Sequence, residues 1–159
     1  MAAAKRKRQK YEYGVAPDVQ ADLAEIVRLM PADFAHVDVD RILCYRSRGS
    51  TARIYARIWS LPGIWQHALG IEPHYVIEVV ERYDRSDKET QEKTLLHELM
   101  HVPKNFSGNL VPHNCFGKNI DCEAEDSLYA KLMVARETEA TATQRAQQLI
   151  AAATLDDWL

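Results

Sequence analysis

At 159 residues the chain has the length of one ordinary domain, and 47% hydrophobic residues supply a sizeable core, which excludes a wholly disordered chain. A net charge of −3 excludes a general pull toward nucleic acid or anionic membrane. No apolar run reaches the roughly eighteen residues that a membrane span requires.

The first ten residues, MAAAKRKRQK, hold five Lys or Arg within six positions. Such a block repels itself, so residues 1–12 are expected to form a disordered basic tail, with weak nucleic-acid contact through 5–10 as its one functional reading. No apolar segment follows it, so it is not the start of a secretory signal. Cys44, Cys115 and Cys122 are too few for a disulfide framework and point to a reducing cytoplasm.

Asp18, after Pro17, is placed to cap a helix over 18–30, whose Leu23, Ile26, Val27 and Met30 recur at helical spacing. RILCYRSR and ARIYARIWSLP, either side of Gly49-Ser50, predict a β-hairpin of strands near 40–47 and 52–60. IWQHALG predicts a helical turn ended by Gly70. HYVIEVV predicts a strand over 74–80, with too little alternation for an exposed face. Ser86 and Glu89 form a capping-box signal for a helix reaching Val102, where Pro103 stops it. A loop occupies 103–119, and from Asp121 the chain predicts one long helix or two consecutive ones. The fold class is α+β: an N-terminal helix, a short mixed or antiparallel sheet, a central helix and C-terminal helix or helices. Residues 13–159 are expected to form a single domain, with a helical extension from about 136.

Three of the six histidines fall within HELMHVPKNFSGNLVPH, residues 97–113. On the helix, Leu95, Leu96, Leu99, Met100 and Val102 gather on one side while His97 and His101 stack one turn apart on another. Two neutral imidazoles so spaced suit a metal ion, and Glu98 between them suits a general base: the content of the H-E-x-x-H motif. A catalytic zinc keeps three protein ligands and one open position. His113 is the first candidate for the third ligand, because Pro103, Gly108 and Pro112 can return the chain over the helix. Glu123, Glu125 and Asp126 are the alternatives, although acids in a first helical turn also serve the helix dipole. Cys115 and Cys122 could instead close a structural site with the two helical histidines, which would leave Glu98 without a task. His36, His67 and His74 are expected to be ordinary residues, and Cys44 a core residue.

The sequence resembles the putative phage metallopeptidase family, a zincin-like group of phages, prophages and archaea. The likeness covers roughly residues 40–130 and rests on ARIWSLPGIWQ, HYVIEVVERYD and above all HELMHVPKNFSGNLVPH followed by FGKN. It implies a small zincin-like domain with His97, Glu98 and His101 as the motif and His113 as the histidine after the FSG turn.

The expected function is a zinc-dependent peptidase or amide hydrolase, with Zn2+ held by His97, His101 and His113, Glu98 as general base and a peptide or protein as substrate. Tyr129, Lys104 and Lys118 are candidates for stabilising the oxyanion. The competing expectation is a non-catalytic, zinc-stabilised binding protein whose basic tail meets nucleic acid or a phage or host partner. The terminal LDDWL, 155–159, is read as a frayed helix end, with insertion into an apolar groove as its functional alternative.

Overall fold

The computed structural model describes residues 11–115 and 118–156. In chain order the elements are β1 (Glu12–Val15), α1 (Pro17–Leu29), α2 (Pro31–Phe34), β2 (Ile42–Arg48), β3 (Ala56–Ser60), α3 (Gly63–Leu69), β4 (Tyr75–Val80), α4 (Glu81–Asp84), α5 (Lys88–Met100), β5 (Asn114–Cys115), β6 (Lys118–Asn119) and α6 (Cys122–Asp156). The α+β class is as expected, with a mixed sheet.

The sheet runs β1-β2-β4-β3, with β2 parallel to β4 and both outer strands antiparallel to their neighbours. This corrects the expected hairpin: β2 and β3 do not pair, because β4 lies between them. The reason lies in β4 itself. Its Val-Ile-rich run is buried at every position but Val76, so it takes a central place, and the long 49–55 connection lets β3 reach its far side. Register assigns the faces. Ile42, Cys44, Tyr75, Ile77, Val79 and Ala56 share one face and join the core with Leu23 and Ile26 of α1 and Leu95, Leu96 and Leu99 of α5. The opposite face carries Tyr13, Val15, Leu43, Tyr45, Val76, Glu78, Arg57 and Trp59. Glu78 is buried there because the Trp59 indole N–H donates to it at 2.7 Å and Arg57 lies 3.0 Å away.

Two caps differ from expectation. Ala16 precedes α1 without a side-chain cap, and Asp18 in the first turn instead pairs with Arg46 of β2. Asp87 caps α5 by accepting the Thr90 N–H at 2.8 Å, while the Ser86 hydroxyl donates to the Tyr83 carbonyl. α3 ends at Gly70, whose φ of 64° is the left-handed conformation that glycine adopts without cost.

α6 is one helix of 35 residues. Leu132 enters the core, Lys131 meets Asp33 at 2.9 Å, and Arg136 holds the buried Glu92 of α5 at 2.8 Å and Glu25 of α1 at 3.1 Å. The ion pairs that tie α6 to the described fold extend to Arg28 with Glu139, and residues 140–153 are exposed. No helix among the described residues is long and apolar enough to cross a membrane. The 1–10 tail and residues 157–159 lie outside the described residues.

Candidate metal centre

α5 delivers two histidines. Leu95, Leu96 and Leu99 are fully buried and fix the helix's rotation, so that His97 and His101 rise from it one turn apart. His101 follows the helix as its C-cap in right-handed conformation, with its backbone N–H bonded to the Glu98 carbonyl. The histidine pair therefore keeps helical spacing although the last full turn ends at Met100.

The third histidine arrives on a loop held from beneath by Tyr75 of β4. Its hydroxyl donates to the Asn109 carbonyl at 3.0 Å and accepts the Gly108 N–H at 2.8 Å. Gly108 has a φ of 83°, and a Cβ there would meet the Gln66 side chain at 2.1 Å, so the position demands glycine. Phe106, left-handed at a φ of 49°, is buried edge-on against Tyr75 with Arg41 over its ring. The Val111 N–H then bonds to the His101 carbonyl at 2.8 Å, and the Ile120 N–H to the His113 carbonyl at 2.9 Å. These bonds bring His113 back over the helix.

The ligand atoms of His97, His101 and His113 lie within 4.8 Å of one another. Nε2 of His97 is 3.2 Å from Nε2 of His113 and 3.3 Å from Nε2 of His101. Tetrahedral ligands at zinc–nitrogen distances stand roughly 3.3 Å apart, so the spacing fits one shared ion. The other ring nitrogens are engaged. His101 Nδ1 donates to the Val111 carbonyl at 2.6 Å, and a carbonyl can only accept, which places the proton on Nδ1 and the lone pair on Nε2. His97 Nδ1 donates to the Glu125 carboxylate at 2.6 Å with the same result. Lone pairs aimed at one point repel one another unless a cation lies among them, and outer carboxylate or carbonyl partners are what orient metal-bound histidines. Burial holds the His101 imidazole below its ordinary pKa; the hydrogen bond to the Val111 carbonyl opposes this, and the neighbouring His97 and His113 add to it, so the neutral ligating form is favoured.

Glu125, read from sequence as a possible third ligand, thus supports His97 from behind. Asp126 pairs with Lys93 at 2.7 Å, and Glu123 is exposed at the start of α6. Cys122 is exposed and Cys44 is a core thiol that burial pushes up to about 12. The side chains of Cys115 and Lys118 lie outside the described residues. His36 and His74 make ordinary contacts with backbone carbonyls, and His67 is exposed.

Glu98 is 6% exposed and shares a cleft of about 360 Å3 with the three histidines, Ile54, Ala56, Arg57, Ile58 and Leu110. Burial pushes its carboxyl up to about 7, with the His97 ring and the Ile58 backbone amide pulling the other way. Neither Tyr129 nor Lys104 lines this cleft: Tyr129 lies under Lys93, and Lys104 donates to the Asp33 carbonyl at 2.6 Å. Among the described side chains the cation that lines it is Arg57, which sequence reasoning missed because its place depends on how β3 pairs. A larger groove, about 640 Å3, runs along the exposed face of α6 and is lined by that helix alone.

The fold and cleft define a small α+β protein with a three-histidine centre able to hold a metal ion beside a buried carboxylate. The chain belongs to the family described as putative phage metallopeptidase, whose model matches residues 11–142. The match extends beyond the blocks at 40–130 to take in α1 and the anchored half of α6. No curated protein and no solved structure matches the chain.

Proposed function

We propose that the chain is a zinc-dependent peptidase or amide hydrolase, with His97, His101 and His113 holding the ion and Glu98 acting as general base. One observation carries this reading: three imidazole nitrogens converge beside a buried carboxylate, with the rear nitrogens of both helical histidines engaged by acceptors. A bound zinc ion supplies Lewis acidity, polarising a carbonyl and lowering the pKa of water. Glu98 takes the proton from the attacking water and delivers it to the departing amine. Glu125 and the Val111 carbonyl keep both helical imidazoles in the ligating tautomer. Ile54, Ala56, Ile58 and Leu110 give the substrate an apolar wall, and the peptide or protein chain lies against it. Residues 13–159 act as one domain, and the sparse cysteines fit work in the cytoplasm of a phage or prophage host.

The alternative, a zinc-stabilised binding protein without turnover, is less well supported. The histidine loop is already held by Tyr75 and by the Val111–His101 backbone bond, so it has anchors other than an ion. Glu98→Gln separates the two. It is expected to retain the metal while hydrolysis of a labelled peptide library falls by about 100-fold or more. A variant that cleaves as fast as the parent contradicts the assignment.

A further inference from the structure

One face of the sheet is closed by α1 and α5, while the other carries exposed aromatic residues. Tyr13 is 67% exposed and Trp59 50%, and half-buried Tyr45 sits between them. The register sets the three on a diagonal: Tyr13 opposite Ser47 on β1, Tyr45 opposite Glu78 on β2, and Trp59 opposite Val76 on β3. Alternation puts all of them on the same side of the sheet.

Cations gather at one end of the sheet. β2 and β4 finish there and β1 and β3 begin there, so Arg53, Arg82 and Arg85 lie in the segments next to those strand ends, whereas Arg48 alternates with Ser47 and points to the closed side. Arg53, Arg82 and Arg85 line a cleft of about 370 Å3 with Ser50, Thr51 and Glu81. Arg85 is neutralised by Glu81 at 3.0 Å. Arg48, Arg53 and Arg82 are exposed and form no ion pair among the described residues. The Arg82 guanidinium lies over the Tyr55 ring at 4.6 Å and its Nη1 donates to the Arg53 carbonyl at 3.3 Å, which orients it and leaves the other N–H groups for a ligand. In the sequence the basic run KRKRQK, 5–10, precedes Tyr11 and β1.

We propose that this face is a binding surface for single-stranded nucleic acid, with the arginine end taking phosphates and Tyr13, Tyr45 and Trp59 stacking on bases. Guanidinium groups match phosphate oxygens in pairs, and exposed rings accept any base. An anionic lipid surface or an acidic peptide would meet the arginines but offers no planar rings to the aromatic diagonal. The 49–55 connection belongs to both sites: Arg53 lines the basic cleft, while Ile54 lines the histidine cleft. A bound strand would therefore run beside the candidate metal centre. The proposal uses none of the histidine chemistry and stands or falls separately from it.

Fluorescence anisotropy of ~20-nucleotide oligo-dT and oligo-U with the full chain, titrated between about 50 and 200 mM salt, tests it. The parent is expected to bind with affinity falling steeply as salt rises. Removing Arg53 and Arg82 together should flatten the salt slope by about 0.7 for each phosphate no longer neutralised. Tyr13→Ala should weaken binding about five-fold or more with the slope unchanged, and Tyr13→Phe should restore it, because stacking needs the ring and not the hydroxyl. Absence of binding at the lowest salt overturns the proposal. So does binding indifferent to Tyr13→Ala, which would mark a polyanion effect of the tail, or binding displaced more readily by phosphatidylserine vesicles or polyglutamate than by unlabelled oligonucleotide.

Discussion

The two faces of the sheet are built from the same strands yet do different things. On the closed face, Ile42, Ile77 and Val79 meet the leucines of α5, and that packing fixes where His97 and His101 point. On the open face, Tyr13, Leu43 and Trp59 remain 42–67% exposed, and their neighbours are held by polar contacts such as Glu78 with Arg57 and Trp59. Burial creates rigidity on one side and leaves a surface for contact on the other. The candidate metal centre lies at the edge of the closed face, where a packed helix can hold ligand atoms to within tenths of an ångström.

Adjacent strand positions break this comparison most sharply. Ile77→Ala, at a fully buried position, should cost about 2–5 kcal/mol in urea unfolding, whereas Leu43→Ala should stay within about 1 kcal/mol. Equal costs would mean that the open face is covered in solution.

Glu125→Gln probes how the closed side serves its histidines. Loss of the carboxylate behind His97 should weaken metal binding about 10- to 100-fold, measured by chelator competition, while the fold stays intact. An unchanged affinity would show that the 2.6 Å contact does not orient the ring.

The smallest effect concerns the joint between α1 and the sheet. A hydrogen bond from Arg46 holds the Asp18 carboxyl at about 2, below its ordinary 3.8. A depressed carboxylate stabilises the folded state above the unfolded pKa and loses that contribution as pH falls from 3.8 toward 2. Asp18 is 65% exposed in its side chain, so screening limits the contribution to less than about 1 kcal/mol. Asp18→Asn should flatten the acid limb of the stability–pH curve by that amount, and an identical limb in the variant would show the pair to be idle.

Local features were legible in the sequence. The i, i+4 spacing of His97 and His101, the leucines behind them and the Gly and Pro residues that return His113 all declare themselves within one or two turns of chain. The family resemblance rested on that same stretch. What the sequence hid was long-range. β4 enters between β2 and β3 because of its burial, which no hairpin signal encodes. Glu125 reaches His97 across 28 residues, and Tyr75 pins the histidine loop across 33. The short β1 has neither apolar alternation nor length to announce it, and Arg57 reaches the cleft only through the pairing of an edge strand.

Elemental analysis of the purified chain beside its His101→Ala variant bears most directly on the central claim. The three-imidazole centre predicts about one divalent ion per parent chain, with zinc favoured, and its near-complete loss in the variant. A folded parent with no affinity for divalent metals, or a variant that retains the full complement, would contradict it.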